Sequence, residues 1–328
     1  MNTDIIIRGL EPKDAFELSA LFLRCYGESY GSPIFYDVDA LGELISQREL
    51  ISVVATKGQE ILGHMGITVR HLGSKVCETG NTVVDPNARG QGMLLRLGAA
   101  LHELVQRNGY VAYIHYPTTA HEIMQKASVA YGGKETGVML AYVPESTDYK
   151  LDEKHPSRLA ATVAYQPLSP PPSREVFLPE RYLAVISSIY DNLSLDRRLT
   201  KPLRSLDQSL VSDDIRIIEN YSPQRGLLHI FVENEGHLIA STVAAIIEKY
   251  QPKVTHIDLP LDNSDIDAVI ESLRELGFFF CALLPEFAYT DLLRLQAINS
   301  LTASVFELNL INEDAINLSN FIRNDAFM

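Results

Sequence analysis

Apolar residues in the first 145 positions follow two spacings, one typical of strands and the other of helices. Runs rich in β-branched residues predict strands, and apolar residues three or four positions apart predict the inner faces of helices. The predicted strands cover residues 4–9, 51–56, 61–70, 76–84, 110–116 and 135–143. The predicted helices cover residues 11–26, 37–50, 93–107 and 118–131, the last capped by Thr118 or Thr119. This order predicts an α+β fold with a mixed sheet.

A proline-rich stretch, residues 146–177, separates this half of the chain from a second one. Its Pro170-Pro171-Pro172 run favours extended, exposed chain, so we predict a linker, although residues 160–165 also have a strand-like pattern. The predicted helices of the second half cover residues 181–192 and 265–276. Its predicted strands cover residues 215–220, 227–233, 238–247, 256–261, 277–285, 291–296 and 305–310, with a hairpin turn at residues 234–236.

The most informative stretch, residues 82–97, joins a predicted strand to a predicted helix. Pro86 ends the strand, and Gly90 and Gly92 permit a tight turn and the close approach of a ligand. The helix that starts at Met93 offers unpaired N–H groups and partial positive charge in its first turn. With Arg89 beside it, this turn predicts a site for a phosphate or pyrophosphate.

Composition narrows the classes of protein to consider. The 328 residues suffice for two domains, and 46% hydrophobic with 21% charged residues is typical of a globular protein with real cores. A net charge of −14 argues against unspecific binding to nucleic acid or anionic membranes. Three widely spaced cysteines predict a reducing compartment, with no disulfide framework and no metal cluster. The lack of a signal-peptide pattern and of a membrane-spanning run makes the cytoplasm the expected location.

The pattern Val-x-Pro-x-x-Arg-Gly-x-Gly at residues 84–92 resembles the acyl-CoA pyrophosphate loop of the GNAT superfamily of N-acetyltransferases. That loop is usually written Arg/Gln-x-x-Gly-x-Gly/Ala, and its three defined places fall here on Arg89, Gly92 and Leu94. The resemblance extends over residues 4–145 and implies acetyl-CoA as the co-substrate, with no metal. The coenzyme-binding residues it implies are Val83, Val84, Arg89, Gly90, Gln91, Gly92, Met93 and Leu94.

A narrower resemblance, over residues 118–143, is to a bacterial GNAT subgroup whose members occur alone or with anti-sigma-factor-like ATP-binding domains. The pattern of the second half resembles a degenerate GNAT-like domain, whose acidic loop at residues 260–265 would repel a pyrophosphate. The expected organisation is therefore α+β with two tandem GNAT-like acyl-CoA N-acyltransferase domains. Their expected limits are 1–145 for the catalytic domain, 146–177 for the linker, 178–312 for the degenerate domain and 313–328 for a helical or frayed tail.

Acetyl transfer to an amine needs a base for the ammonium proton and donors for the oxyanion. Glu78 is our candidate for the base, because many GNAT enzymes keep a glutamate on the strand leading into the loop. His64, on the neighbouring strand, is the alternative, and His115 is a weaker candidate. By analogy with the family, the backbone N–H of Val84 would face the oxyanion.

An acid for the leaving thiolate is often a tyrosine in this family. By spacing from Gly132 that place falls on Ser128, so Tyr131, about one turn later, is our candidate. The expected activity is direct transfer of an acetyl group from acetyl-CoA to an unidentified primary amine on a small molecule or a protein. The competing hypothesis is a non-catalytic module that senses acyl-CoA or docks a protein.

Overall fold

A computed structural model of the chain describes residues 5–71, 73–147, 157–202, 215–234 and 238–328. The strands in these ranges are β1 (Ile6–Gly9), β2 (Ile51–Lys57), β3 (Glu60–Thr68), β4 (Val76–Val84), β5 (Ala112–His115), β6 (Lys134–Val143), β7 (Leu159–Pro167), β8 (Arg174–Phe177), β9 (Arg197–Thr200), β10 (Arg216–Ser222), β11 (Leu227–Asn234), β12 (Val254–Pro260), β13 (Phe279–Leu284) and β14 (Leu292–Ile298). The helices are α1 (Ala15–Tyr26), α2 (Val38–Ser46), α3 (Met93–Arg107), α4 (Ile123–Ala130), α5 (Leu183–Leu193), α6 (Ile239–Tyr250), α7 (Ile266–Arg274) and α8 (Glu313–Ala326).

One continuous sheet runs through both halves of the chain. Among the described strands, twelve pair in the order β1-β2-β3-β4-β5-β7-β6-β13-β14-β12-β11-β10. Two neighbouring pairs in this sheet, β4 with β5 and β11 with β12, are parallel, and the others are antiparallel. Strands β8 and β9 form a separate parallel pair. The predicted α+β class with a mixed sheet is therefore confirmed.

The expected linker has to be corrected, because it contains a core strand. Strand β7 lies between β5 and β6, and its residues from Ala160 to Gln166 are all buried. Since successive side chains of a strand point to opposite faces, burial of this whole run means that both faces are covered here. The first half thus extends beyond residue 145 to the end of β7. The strand-like pattern at residues 160–165 predicted the structure of this stretch better than the prolines around it did.

The start predicted for the fourth helix is also wrong. Helix α4 begins at Ile123, and Thr118 instead forms a β-bridge with Ala161 of β7. The Thr118 hydroxyl accepts a hydrogen bond from the Ala120 N–H, which is a local turn rather than a helix cap.

The second half repeats the order of the first. The series β10-β11-α6-β12-α7-β13-β14 follows the same sequence of elements as β3-β4-α3-β5-α4-β6-β7, with the same neighbours in the sheet. Of residues 238–247, predicted as a strand, all but the first lie in α6, because Ile239 and Val243 are buried one helical turn apart. No strand forms at 305–310 either, since residues 305–306 end a short 3-10 helix (Ala303–Phe306) and residues 307–310 have no regular secondary structure. Of the predicted hairpin turn, residues 235–236 lie outside the described residues.

The two halves meet where β6 approaches β13 at Gly137 and Ala282. A Cβ on Gly137 would overlap the Cys281 carbonyl oxygen and Ala282, so only glycine permits this approach. The Gln296 side chain bridges the junction by accepting from the Leu140 N–H at 2.9 Å. It also donates to the carbonyls of Val138 and Phe280, both at 3.1 Å.

The largest apolar cluster lies across this junction and is closed by the C-terminal helix. Leu140, Tyr182, Phe280 and Ile322 all belong to it and are fully buried. The Asp325 carboxylate of α8 accepts from the Arg274 guanidinium, the Tyr182 hydroxyl and the Phe280 N–H. The tail is therefore helical and docked. No helix in the described ranges combines the length and apolar character that crossing a membrane requires.

We expect Gly137→Ala to destabilise the protein by about 3 kcal/mol or more, because the added methyl group overpacks the junction. Gly9→Ala on β1 is the matched control, since a Cβ there meets no atom within 4 Å. Thermal unfolding followed by circular dichroism measures both. Equal melting temperatures for the two variants would contradict the close approach at β13.

Candidate functional site

The two parallel strands of the first half separate soon after they pair. Strand β4 pairs with β5 only from Val76 to Glu78, opposite Ala112 to Ile114. Three residues later Asn81 takes a left-handed backbone with φ 53°, and the register with β3 shifts between His64 and Gly66. Such a bulge bends a strand and increases its twist, which turns the end of β4 away from β5.

His64 holds this bulge in place. Its Nδ1 lies 2.7 Å from the Asn81 carbonyl oxygen, and because a carbonyl only accepts, Nδ1 must carry the hydrogen. The ring is fully buried and packs edge-on against the rings of Phe22 and Phe35, and burial lowers the pKa of His64 to about 4. The structure does not bring His64 to the lining of the cavity described below.

Hydrogen bonds of the Asp85 side chain hold the loop after β4 in place. Its carboxylate accepts from the Asn87 N–H at 2.9 Å and from the Arg24 guanidinium at 2.6 Å. Gly90 and Gly92 then adopt φ values of 75° and 68°, which glycine tolerates best, and α3 begins directly after them. The first-turn N–H groups of α3 have no acceptor within the helix.

A cavity of about 1090 Å³ lies against this loop and continues into the gap between β4 and β5. Of the residues predicted to bind the coenzyme, Val83, Val84, Arg89, Gly90, Gly92, Met93 and Leu94 line it. Gln91 does not line it, and its side-chain amide donates to the Asn87 carbonyl at 3.4 Å. The Arg89 guanidinium donates to the Val84 carbonyl at 3.3 Å, so it lies beside the end of β4.

Glu78 lines the cavity where β4 and β5 separate, and it is already paired. Its two carboxylate oxygens accept from the Arg70 guanidinium at 2.8 and 3.0 Å, and the Tyr116 hydroxyl lies 3.3 Å from one of them. Burial raises the pKa of Glu78, but the charges of Arg70, Arg294 and Arg225 outweigh it and lower that pKa below its ordinary value. Glu78 is therefore ionised at neutral pH.

The other candidates from the sequence also touch the cavity. The Tyr131 hydroxyl donates to the Leu95 carbonyl of α3, and its ring packs against Gly98. His115 is enclosed, and burial lowers its pKa to about 4. The Ser128 hydroxyl is buried without a hydrogen-bond partner among the described residues.

The inner end of the cavity has a wall that sequence reasoning missed. Side chains of the second half line it, namely Asn220, Ser222, Arg225, His229, His256 and Arg294. We call the part formed by Arg70, Glu78, Tyr116, Tyr142, Arg225, His256 and Arg294 the inner chamber. No local signal in the sequence marked these second-half residues. They are scattered over several strands and a turn, and these elements approach Glu78 only because the whole sheet is continuous.

Within the described ranges, no group of three or more His, Cys, Asp or Glu side chains is placed to hold a metal ion.

No protein-family model and no curated protein matches this chain. Solved structures do resemble about half of it. An acetyltransferase of the GNAT family from Streptococcus pneumoniae is 16% identical with a TM-score of 0.43, and the match covers 50% of this chain and 100% of that one. The ribosomal-protein-S18-alanine N-acetyltransferase of Escherichia coli is 15% identical with a TM-score of 0.41, covering 52% and 97%. A GNAT-superfamily phosphinothricin acetyltransferase of Sinorhizobium meliloti, in complex with AcCoA, is 18% identical with a TM-score of 0.41, covering 50% and 89%.

We expect His64→Leu to destabilise the protein at pH 7, because it leaves the Asn81 carbonyl without a donor. The loss should shrink by about 3 kcal/mol at pH 4. The reason is that unfolded chains bind a proton at this histidine below about pH 6.5, whereas the folded protein binds it only near pH 4, so the wild type loses this stability as the pH falls. Urea unfolding at the two pH values measures the difference. His102→Leu, partly exposed on α3, is the control, and a loss for His64→Leu that is independent of pH would contradict the neutral, enclosed ring.

Proposed function

We propose that this chain is an acetyl-CoA-dependent N-acetyltransferase of the GNAT fold, with its coenzyme site in the first half. One observation carries the proposal. The glycine turn at the start of α3 opens on the same cavity as an ionised carboxylate, Glu78, and the two are connected by the gap between β4 and β5. A coenzyme that is long and has a diphosphate at one end and a thioester at the other fits this arrangement.

Each part of the coenzyme has a matching feature in the first half. The diphosphate would bind the N–H groups at the start of α3, where the helix dipole and Arg89 favour negative charge. The pantetheine arm would lie along the end of β4, near Val83 and Val84, and pair with its backbone as an added strand. The thioester would then lie at the inner chamber.

In this proposal Glu78 accepts the proton of the attacking amine, directly or through a water molecule. The backbone N–H of Val84 would donate to the oxyanion, and Tyr131 would assist the leaving thiolate, although its hydroxyl hydrogen is donated to Leu95 in this structure. We favour Glu78 over His64 because only Glu78 lines the cavity. The acetyl group would pass directly from sulfur to nitrogen, with no covalent acyl-enzyme intermediate, and coenzyme A would leave as the thiolate.

A non-catalytic acyl-CoA sensor is the second candidate, and one observation favours it. Both oxygens of Glu78 accept from Arg70, and a carboxylate with a lowered pKa is a weak base. Coenzyme binding without release of thiol in the presence of amines would support the sensor.

We further propose that the second half is a degenerate GNAT-like domain that does not bind coenzyme. The repeated order of its elements supports this proposal. Because β11 and α6 correspond to β4 and α3, the counterpart of the glycine turn would lie between β11 and α6 rather than at residues 260–265. Beyond the paired part of β11 and β12, a cavity of about 450 Å³ is lined by the acidic Glu233 and Asp262 and by Phe177. Two carboxylates would oppose a diphosphate there.

Replacing Gly92 by aspartate tests the diphosphate site. The introduced carboxylate would stand beside the first-turn N–H groups of α3 and repel the diphosphate, so coenzyme A affinity should fall by roughly 100-fold. Gly58→Asp is the matched control, because Gly58 lies in the β2–β3 turn with φ 64°, close to the 68° of Gly92, and a Cβ meets no atom within 4 Å at either position. Calorimetric titration with coenzyme A measures both variants. Wild-type affinity in Gly92→Asp would refute this site.

Replacing Glu78 by glutamine tests the base. We expect kcat to fall by roughly 100-fold or more while coenzyme A affinity stays unchanged, because the carboxylate acts only on the amine proton. The lowered pKa keeps Glu78 ionised in mild acid, so the wild-type rate between pH 5 and 8 should rise with deprotonation of the amine. Thiol release over a panel of primary amines measures both effects, with Glu103→Gln, exposed on α3, as the control. An unchanged kcat across this pH range would exclude Glu78 as the base.

A further inference from the structure

The inner chamber contains more positive than negative charge. Glu78 is paired with Arg70, and the Arg294 guanidinium contacts both oxygens of Asp258 at 2.6 and 2.8 Å. Arg225 makes no ion pair with any residue in the described ranges. Three guanidiniums against two carboxylates leave one positive charge without a carboxylate partner, and it belongs to Arg225, which contacts Tyr142.

Arg225 is held in a fixed position. Its guanidinium lies 4.3 Å from the centre of the Tyr142 ring. Gly31 lies close to the aliphatic part of its side chain, since a Cβ built on Gly31 would be 3.5 Å from the Arg225 Cγ. The turn that carries it is also tied down, because the Arg158 guanidinium donates to the Arg225 carbonyl at 2.8 Å. A guanidinium that is pre-positioned in this way loses little entropy when it binds a planar anion through two hydrogen bonds.

A second polar group in the chamber also has no partner. His256 is only 1% exposed, and its buried Nε2 atom has no hydrogen-bond partner among the described residues. Its ring lies parallel to that of Tyr142, with 5.9 Å between the ring centres, and both His256 and Arg225 line the cavity. Buried polar atoms without partners are rare, and a ligand is one of the groups that satisfies them.

We propose that the inner chamber is the acceptor site and that it selects a small amine that also carries a carboxylate, which Arg225 binds. The inference rests on the proposed function, because it places the amine at Glu78 and the thioester. The single unpaired positive charge matches a monoanion rather than a phosphate dianion. Side chains of the second half line this end of the cavity, and this favours a free small molecule as the acceptor over the surface of a folded protein.

Matched acceptors test the charge. We expect thiol release from acetyl-CoA to be faster with at least one L-amino acid than with its amide and its decarboxylated amine, and faster than with O-phosphoethanolamine. For that acid, Arg225→Met should lower kcat/KM by roughly 100-fold, affect the neutral amines far less and leave the KM for acetyl-CoA unchanged. Arg225→Lys should recover part of the loss, and Arg198→Met, exposed on β9, should match the wild type.

Binding provides a readout that does not need turnover. N-acetyl amino acids should stabilise the coenzyme A complex against heat more than the corresponding N-acetyl amino acid amides do, and Arg225→Met should abolish that difference. A panel in which no acid exceeds its amide, in turnover or in stabilisation, would overturn the carboxylate site, and so would equal effects of Arg225→Met on acids and amides. Failure to bind coenzyme A at all would instead refute the proposed function.

Discussion

The hydrogen bond from His64 to the Asn81 carbonyl is the constraint on which the candidate site depends. Parallel strands pair continuously unless something interrupts the ladder, and the left-handed turn at Asn81 interrupts it three residues after Glu78. A buried, neutral imidazole packed edge-on against two phenylalanine rings is a rigid donor, so it favours one conformation of the bulge over several. Because β4 turns away there, the start of α3 and the carboxylate of Glu78 border one cavity.

Continuity of the sheet gives the second half its place at this cavity. The β6–β13 contact at Gly137 fixes β14 and β12 relative to β4, since strands in one sheet lie about 4.8 Å apart and cannot move independently. Arg294 on β14 and His256 on β12 consequently reach the same chamber as Glu78. If the second half binds no coenzyme, as we propose, it can still contribute side chains, because only its sheet has to persist.

Local signals in the sequence predicted the elements well where the pattern was periodic and the turn chemistry was clear. The strand-to-helix turn at Gly90 and Gly92 was visible because it depends on residues close in sequence. Glu78 was chosen from the family resemblance, and its role as a base stays a prediction. Strand β7 was hidden among prolines, because its burial comes from strands more than 15 residues away in the chain. Arg225 and His256 reach the chamber only because the two halves of the sheet meet at β6 and β13, and no local sequence pattern predicts that contact. His64, the alternative candidate for the base, lies outside the cavity lining and donates to Asn81 instead, a position that residue type alone does not indicate.

The paired state of Glu78 bears on how an amine would lose its proton. A primary amine such as a lysine side chain has a pKa near 10.4, whereas the guanidinium groups around Glu78 hold its pKa below the ordinary value of a glutamate. Transfer of a proton from the ammonium to Glu78 before attack is therefore strongly uphill. An ammonium has no lone pair, so the amine must attack as the free base, after its first proton has gone to solvent. In the proposed mechanism Glu78 accepts the next proton, which the nitrogen loses during or after attack because it becomes more acidic as it bonds to carbon. In that mechanism Arg70, by keeping the carboxylate ionised, preserves an acceptor for this proton across the physiological pH range.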